Sequence, residues 1–490
     1  MNRTTSRLLA GFAAATLIAS ACGSDDSTAG TEAPAGTGAP TTSAGTEGTT
    51  APSKTTATSA TTAATGTTKS TGPPEGTGAT TGTGGADAGW TVNTDDCVDP
   101  DRANAPIEGT IKIGSSGPLS GGPAAAAFAP VIKGFQAYID YANEKKLVPG
   151  HDISVTFGDD QYDPALTPGV INAALDGGAQ VISEIIGTPQ NLAVRSTLNE
   201  ECIPQLEASS GDPAFGDVAK YPWTMGANLP YNVEWKAYAQ HVASEFPDGA
   251  KAALFYVNND AGLSSKDGFE QVAGDLKIDI VDDQTIEATE SAPPTAQLSS
   301  IAEHAPDVIV AFPLGAQCPT FLNELANQKA AHPGWEPRVY LTNTCASPLI
   351  LGASGDNANG IYTSGSFGAV DVVNPANQAI PGVAEYMSYI DGKGMSDTFP
   401  TSGAGWTYAE VTVEILRRAA QSPEGLTQAS IINQARNFEF KPSMVRDNIT
   451  YKTSGEKDGY LVESVQIVQY DSKTKFLSDV GELITRFESS

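Results

Sequence analysis

The chain has 490 residues, with 57 acidic side chains against 28 Lys and Arg, and a formal charge of −29 that becomes −31 once Arg3 and Arg7 leave with an N-terminal leader. This balance makes nucleic acid and anionic lipid headgroups poor partners for the folded part, and otherwise reads as solubility.

Arg3 and Arg7 precede an apolar run from Leu8 to Ala21, and Ala19-Ser20-Ala21 leads into Cys22, the layout of a secretory signal with a small-residue cleavage site. The run is shorter than the roughly 20 apolar residues that cross a bilayer. Gly23-Ser24-Asp25-Asp26 ends it at once, so cleavage is expected rather than anchoring by a helix. The segment resembles a bacterial lipoprotein signal, in which the cysteine after the cut carries the lipid. That resemblance implies a signal peptide over 1–21 and lipidation at Cys22, with ordinary secretion as the alternative. It departs from the family pattern at Ala19, where Leu is usual, with Ile18 one place earlier. Residues 22–89 are almost entirely Thr, Gly, Ala, Ser and Pro. Such a segment cannot offset its ordering entropy and is expected to be a flexible tether, of a composition also found in glycosylated stalks.

Ordinary globular composition returns at Trp90 and leaves about 400 residues, enough for two domains. Ile111 and Ile113 flank Lys112, Ile153, Val155 and Phe157 alternate, and Val181-Ile182, Ile185-Ile186 and Ile203 to Leu206 follow as predicted strands. Between them, Val131 to Lys146 carries Ile132, Phe135, Ile139 and Ala142 at helical spacing, and Pro168 to Leu175 is rich in Ala and Val. The scheme restarts with Ala252 to Val257, Ile278 to Val281, Asp307 to Phe312 and Arg338 to Leu341, separated by helical stretches around Tyr238, Phe269, Leu298 and Leu322. Two successive alternations of strand and helix predict two α/β lobes, each a parallel sheet covered on both faces.

In such sheets ligands bind beyond the carboxyl ends of the strands. The loops there read Ser115-Ser116-Gly117-Pro118-Leu119-Ser120-Gly121-Gly122, Asp159-Asp160-Gln161-Tyr162-Asp163-Pro164, Gly187-Thr188-Pro189-Gln190 and Ser209-Ser210-Gly211-Asp212-Pro213 in the first half. The second half supplies Asn258-Asn259-Asp260-Ala261-Gly262, Leu314-Gly315-Ala316-Gln317 and Thr342-Asn343-Thr344. Hydroxyls, amides and backbone N–H groups dominate, as holding a small polar or anionic group at helix N-termini requires. For any single loop the plain alternative is helix capping.

With Cys22 set aside, Cys97, Cys202, Cys318 and Cys345 form an even set suited to an oxidising compartment. Of three possible pairings, Cys97 with Cys202 and Cys318 with Cys345 keep each bridge within one half. His151, His241, His304 and His332 fall outside the strand-end loops, there is no Gly-x-Ser-x-Gly elbow, and no Cys/His spacing suggests zinc. No enzyme activity, cofactor or metal site is expected. An adhesion role would suit the tether but does not need two sets of ligand-facing loops.

The order strand, Gly-Pro-Leu-Ser-Gly loop, helix, strand, Asp-Asp-x-x-Asp-Pro from Ile111 to Pro164 resembles the start of type I periplasmic binding proteins of the branched-chain amino acid type. The resemblance continues through Ile203-Pro204, Tyr221-Pro222-Trp223-Thr224-Met225 and the helix after Trp406-Thr407-Tyr408, and covers Ile107 to about Phe476. It implies two Rossmann-like doubly wound lobes joined by a three-crossing hinge that closes on the ligand. The first lobe would comprise 90–228 and 364–460, and the second 229–363 and 461–490 with a last strand near Val465 to Tyr470. Carried over, the ligand contacts are Ser120, Gly121, Thr188, Gln190, Ser209 and Ser210 in the first lobe. In the second, Ala261-Gly262 stands where Tyr-Gly is common, and Asn343-Thr344-Cys345 where the family places an acid for the ligand ammonium. Asp260 could replace that acid, Gln317 and Thr344 are the polar candidates, and Trp406, after a Ser402-Gly403-Ala404-Gly405 loop, could cover an apolar ligand portion. A Cys318–Cys345 bridge would sit on the cleft wall near the lost contacts. The resemblance implies a lipid-anchored, extracytoplasmic monomer that delivers a branched-chain amino acid, amide or organic acid to an ABC permease and ATPase. A ligand sensor of the same fold is the alternative.

Overall fold

The computed structural model describes residues 89–365 and 368–488. The signal peptide, Cys22 and nearly all of the expected tether lie outside the described residues. Among those described, no helix is long and apolar enough to cross a membrane.

After a short α1 (Pro100–Asn104), the first lobe is built on β1 (Ile111–Gly117), β2 (Ile153–Asp159), β3 (Val181–Ser183), β4 (Gln205–Ala208) and β5 (Thr224–Gly226). They form one parallel sheet in the order β2-β1-β3-β4-β5. The connections run through α2 (Gly122–Lys145), α3 (Thr167–Asp176) and α4 (Thr188–Glu200). Ile185 and Ile186, expected to extend a strand, make only an isolated bridge from Ile186 to Ser209.

The chain crosses to the second lobe through α5 (Tyr231–Glu245). There β6 (Ala250–Val257), α6 (Asp260–Ala273), β7 (Ile278–Ile286), α7 (Thr295–His304), β8 (Val308–Phe312), α8 (Gln317–Ala331), β9 (Arg338–Leu341), α9 (Pro348–Gly352) and β10 (Tyr362–Ser364) follow. Central strands β6 and β8 are almost wholly buried, as both-face coverage of their Ala, Val, Ile and Phe residues requires. A second crossing leads to α10 (Pro381–Gly392), α11 (Phe399–Ala420), α12 (Gln428–Arg436) and the hairpin β11 (Glu439–Phe440) and β12 (Tyr451–Lys452), which pack on the first lobe. A third returns it to β13 (Ile467–Asp471) and β14 (Phe476–Asp479), which close the second sheet in the order β14-β13-β10-β9-β8-β6-β7. Both are antiparallel to their neighbours, so the expected single last strand is the first of a pair.

The Ser402-Gly403-Ala404-Gly405 segment is not a loop. It forms the first turns of α11, and its glycine has a packing reason. A Cβ on Gly405 would stand 1.8 Å from the Val131 carbonyl oxygen on α2, and one on Gly134 would stand 1.9 Å from that of Ser402. Two helices this close tolerate only hydrogen where their backbones meet, which outweighs the poor helix propensity of glycine.

A two-walled cavity between the lobes

The sheets aim their carboxyl ends at a shared cavity of about 140 Å³. Its first-lobe wall includes Phe128 on α2, Tyr162 after β2, Ile186, Gly187 and Thr188 at the entry to α4, and Ser209 after β4. Tyr408 joins this wall from α11, and its hydroxyl donates to Asn228 Oδ1 at 2.6 Å. The second-lobe wall brings Ala261 on α6, Phe312 and Leu314 after β8, and Asn343, Thr344, Ala346, Ser347, Pro348 and Ile350. The walls meet where the hydroxyls of Ser347 and Thr401 stand 3.0 Å apart.

The Asp-Asp-x-x-Asp-Pro loop shapes the first wall. Asp159 accepts from the backbone N–H groups of Leu119 at 3.0 Å and Gln161 at 3.0 Å, and Asp160 Oδ1 accepts from that of Tyr162 at 3.0 Å. Asp160 is fully buried and Oδ2 accepts from Ser116 Oγ at 2.7 Å and Thr167 Oγ1 at 3.0 Å. These bonds hold Gln161 and Tyr162 at φ of 55° and 64°, a left-handed conformation that bulky residues rarely adopt. The strained turn swings the Tyr162 ring onto the cavity, where it stacks with Phe128 at 6.1 Å.

Of the sequence-predicted contacts, Thr188, Ser209 and Thr344 line the cavity. The Thr344 hydroxyl is buried, with no hydrogen-bond partner among the described residues. Ser210 stands one layer back, its hydroxyl 2.5 Å from Thr188 Oγ1, and it accepts from Asp212 N at 3.0 Å. The remaining predicted contacts have other surroundings. Ser120 and Gly121 are exposed, and Ser120 Oγ donates to Asp159 Oδ2 at 2.5 Å. Gln190 is buried beneath Gly187 and Tyr162, its Oε1 without a partner among the described residues. Asp260 is exposed at the first position of α6 while its neighbour Ala261 faces the cavity. Gln317 is a fastener: Oε1 accepts from Leu314 N at 3.0 Å and Nε2 donates to the carbonyls of Glu287 at 2.9 Å and Glu290 at 2.7 Å. Trp406 is 2% exposed and packs edge-on against Tyr138 at 4.9 Å and Tyr386 at 5.4 Å, inside the first lobe. Both expected disulfides are formed, Cys97–Cys202 and Cys318–Cys345. The second is fully buried in the lobe core behind the 343–345 turn rather than on the cleft surface.

Sequence reasoning missed the apolar members of the walls. Phe128, Phe312, Ile350, Val370 and Met444 carry no polar signature.

Buried acids lie behind the walls. Glu234 on α5 is fully buried and ties three segments: Oε1 accepts from Tyr238 OH at 2.8 Å, Asn343 N at 2.8 Å and the Ser364 hydroxyl, and Oε2 from the Thr342 hydroxyl. On the first-lobe side Glu184 and Glu207 are also fully buried, at φ of 58° and 49°. Burial pushes both carboxyls well above the usual carboxylate range, and for Glu207 the charge of Glu184 adds to this.

The fold is similar to solved structures at low identity. A branched-chain amino acid ABC transporter protein from Thermus thermophilus with bound valine shares 21% identity at a TM-score of 0.68, covering 77% of this chain and 97% of its own. A fatty acid ABC transporter substrate-binding protein from Thermomonospora curvata shares 18% at 0.65, over 78% of this chain and 95% of its own. A solute-binding protein from Rhodopseudomonas palustris in complex with p-hydroxybenzoic acid shares 16% at 0.64, over 77% and 98%. No curated protein sequence matches the chain. Two α/β lobes, three crossings and a shared cavity agree with the sequence profile that matches residues 110–475, and the chain belongs to the periplasmic binding protein family.

Proposed function

We propose that the protein is a lipid-anchored, extracytoplasmic solute-binding protein that captures a small ligand between its lobes and delivers it to an ABC permease and ATPase. The observation that carries this reading is a cavity whose walls come from both lobes and touch at Ser347 and Thr401. A ligand there bonds to both walls, so its binding energy favours closure about the three crossings. The permease then reads the closed form, and no covalent step is involved. On this reading the lobes are 90–228 with 364–460 and 229–363 with 461–490, and the segment 22–89 carries the folded part away from a lipid on Cys22. The ABC-transporter context of similar structures supports the transport role, and the leader supports the anchor.

A thermal-shift screen against branched-chain and other amino acids, short amides, urea and aromatic acids tests capture. A ligand at a hundredfold excess over its dissociation constant adds about 2.7 kcal/mol, or several degrees. Silence across the panel counts against capture of these classes. Fatty-acid labelling tests the anchor: an unlabelled mature protein removes it. Uptake of the identified ligand that survives deletion of the gene counts against transport.

A further inference from the structure

Three chain crossings form the hinge, and one buried carboxyl is tied to the second-lobe end of all three. Glu234 is fully buried in the first turn of α5, just past the first crossing, where its own N–H donates to the carbonyl of Pro230 at 2.9 Å. Its Oε1 accepts at 2.5 Å from the hydroxyl of Ser364, the last residue of β10 before the second crossing. Ser364 is in register with Ile467, where the third crossing enters β13, and Gly365 N donates to the carbonyl of Gln466 at 2.9 Å.

The same carboxyl holds the cavity wall. Oε1 also accepts from Asn343 N at 2.8 Å, and Oε2 from the hydroxyl of Thr342. Asn343 lines the cavity with Thr344, Ala346 and Ser347, and Ser347 reaches Thr401 of the first lobe at 3.0 Å. Burial raises the Glu234 carboxyl above the usual range, and the bonds from Ser364, Thr342, Tyr238 and Asn343 oppose that rise. Hydrogen bonds to a buried carboxyl are costly to leave unmade. Wall and crossings are therefore held as one body, by a side chain that does not itself line the cavity.

We infer that Glu234 is a positioning residue of the hinge, locking the second-lobe ends of the crossings to the 342–347 wall so that a ligand bearing on that wall turns the lobes. The use of this coupling rests on the solute-binding reading above, but the coupling itself can be measured without a ligand. Pulsed electron paramagnetic resonance gives the distribution of lobe separations in the full chain carrying Cys22→Ser, with spin labels at Lys133→Cys on α2 and Glu303→Cys on α7, both exposed positions. Ser364→Ala removes one tie without touching the cavity, and Glu234→Gln weakens the whole set at constant shape. Gln317→Leu is the control, because Gln317 is a buried fastener of the same lobe whose partners Leu314, Glu287 and Glu290 lie in no crossing.

The expected result is a broader distribution with a shifted mean in Ser364→Ala, and a lower melting temperature with an unaltered distribution in Gln317→Leu. An unaltered distribution in Ser364→Ala, or one changed as much in Gln317→Leu, overturns the inference and leaves Glu234 a fastener of the fold alone. Because Ser364→Ala decides the matter, failure of Glu234→Gln to fold does not protect the inference. A broadened distribution beside a ligand screen without hits keeps the hinge assignment and removes the support for capture, whereas an unaltered one beside a hit does the reverse.

Discussion

The two walls of the cavity are backed by buried carboxyls of opposite design. Behind the second-lobe wall, Glu234 has four donors and fixes three segments of chain, two of which adjoin the hinge crossings. Behind the first-lobe wall, the carboxyl oxygens of Glu207 have no partner among the described residues, and Glu184 is beside it in the sheet. The first arrangement is a structural fastener; the second is a pair of buried acids whose carboxyls burial pushes well above the usual range. The lesson is that a buried acid near a binding cavity need not be a ligand contact. Its donors decide whether it holds the fold, and its burial decides whether it carries charge.

The difference can be broken at several points. The largest effect is expected from the disulfides, one in each lobe. Cys97–Cys202 spans a sequence separation of 105 and Cys318–Cys345 one of 27. By loop entropy alone, replacing the first pair by serine costs about 4–5 kcal/mol and the second about 3.5 kcal/mol. Denaturant melts should rank them in that order, and the reverse order would show that the second-lobe bridge acts mainly through packing.

Glu234→Ala comes next, with an expected loss of about 3 kcal/mol, because it removes the acceptor of the Thr342 and Ser364 hydroxyls and of the Asn343 N–H, while Tyr238 OH keeps the Leu341 carbonyl. Glu207→Gln, by contrast, should leave the melting temperature at pH 5 within a few degrees. Equal losses in the two variants would erase the distinction.

Ala261→Asp places a carboxylate in the first turn of α6 on the cavity wall, where the helix dipole tolerates it. It should change the affinity for a ligand found by the thermal-shift screen by about tenfold, about 1.4 kcal/mol. An unchanged affinity in titrations of the variant would mean that Ala261 does not meet the ligand.

The smallest effect is the pH dependence. Glu184 and Glu207 are raised well above the ordinary value, and burial pushes Glu410 up to about 7. Each group binds its proton more tightly folded than unfolded, so unfolding releases protons. Their stabilisation is complete below the unfolded value of about 4.3 and fades as pH rises, for Glu410 by about pH 7. Melting temperatures should therefore decline from pH 5 toward pH 8, with a shallower slope in Glu184→Gln and Glu207→Gln. An unaltered slope in both variants would place the proton release elsewhere.

Much of the architecture was legible in the chain. Alternation such as Ile153, Val155 and Phe157, and buried runs such as Val308 to Phe312, mark strands because a sheet has a period of two or is covered on both faces. The cavity was harder to read. Trp406 and Tyr408 differ by two helical positions, about 200° around the axis, so one packs in the lobe core and the other lines the cavity. Local sequence hides that distinction, because the Ser402 to Gly405 stretch has loop composition and the contact of Gly405 with Val131 depends on a helix distant in sequence. Tyr162 was hidden likewise, since two aspartates hold it in a left-handed turn that no periodicity signals. Gln190 and Gln317 lie at the expected helix starts, but Gln190 is buried behind Gly187 and Gln317 bonds to Leu314, Glu287 and Glu290.

The most direct test of the central claim, that the cavity between the lobes is the ligand site, is a crystal structure grown with the tightest-binding ligand of the thermal-shift panel. The account predicts the ligand between Phe128 and Phe312, in contact with both walls. Density for the ligand in the groove beside Trp335 and Arg338 on the second lobe, with the cavity empty, would contradict it.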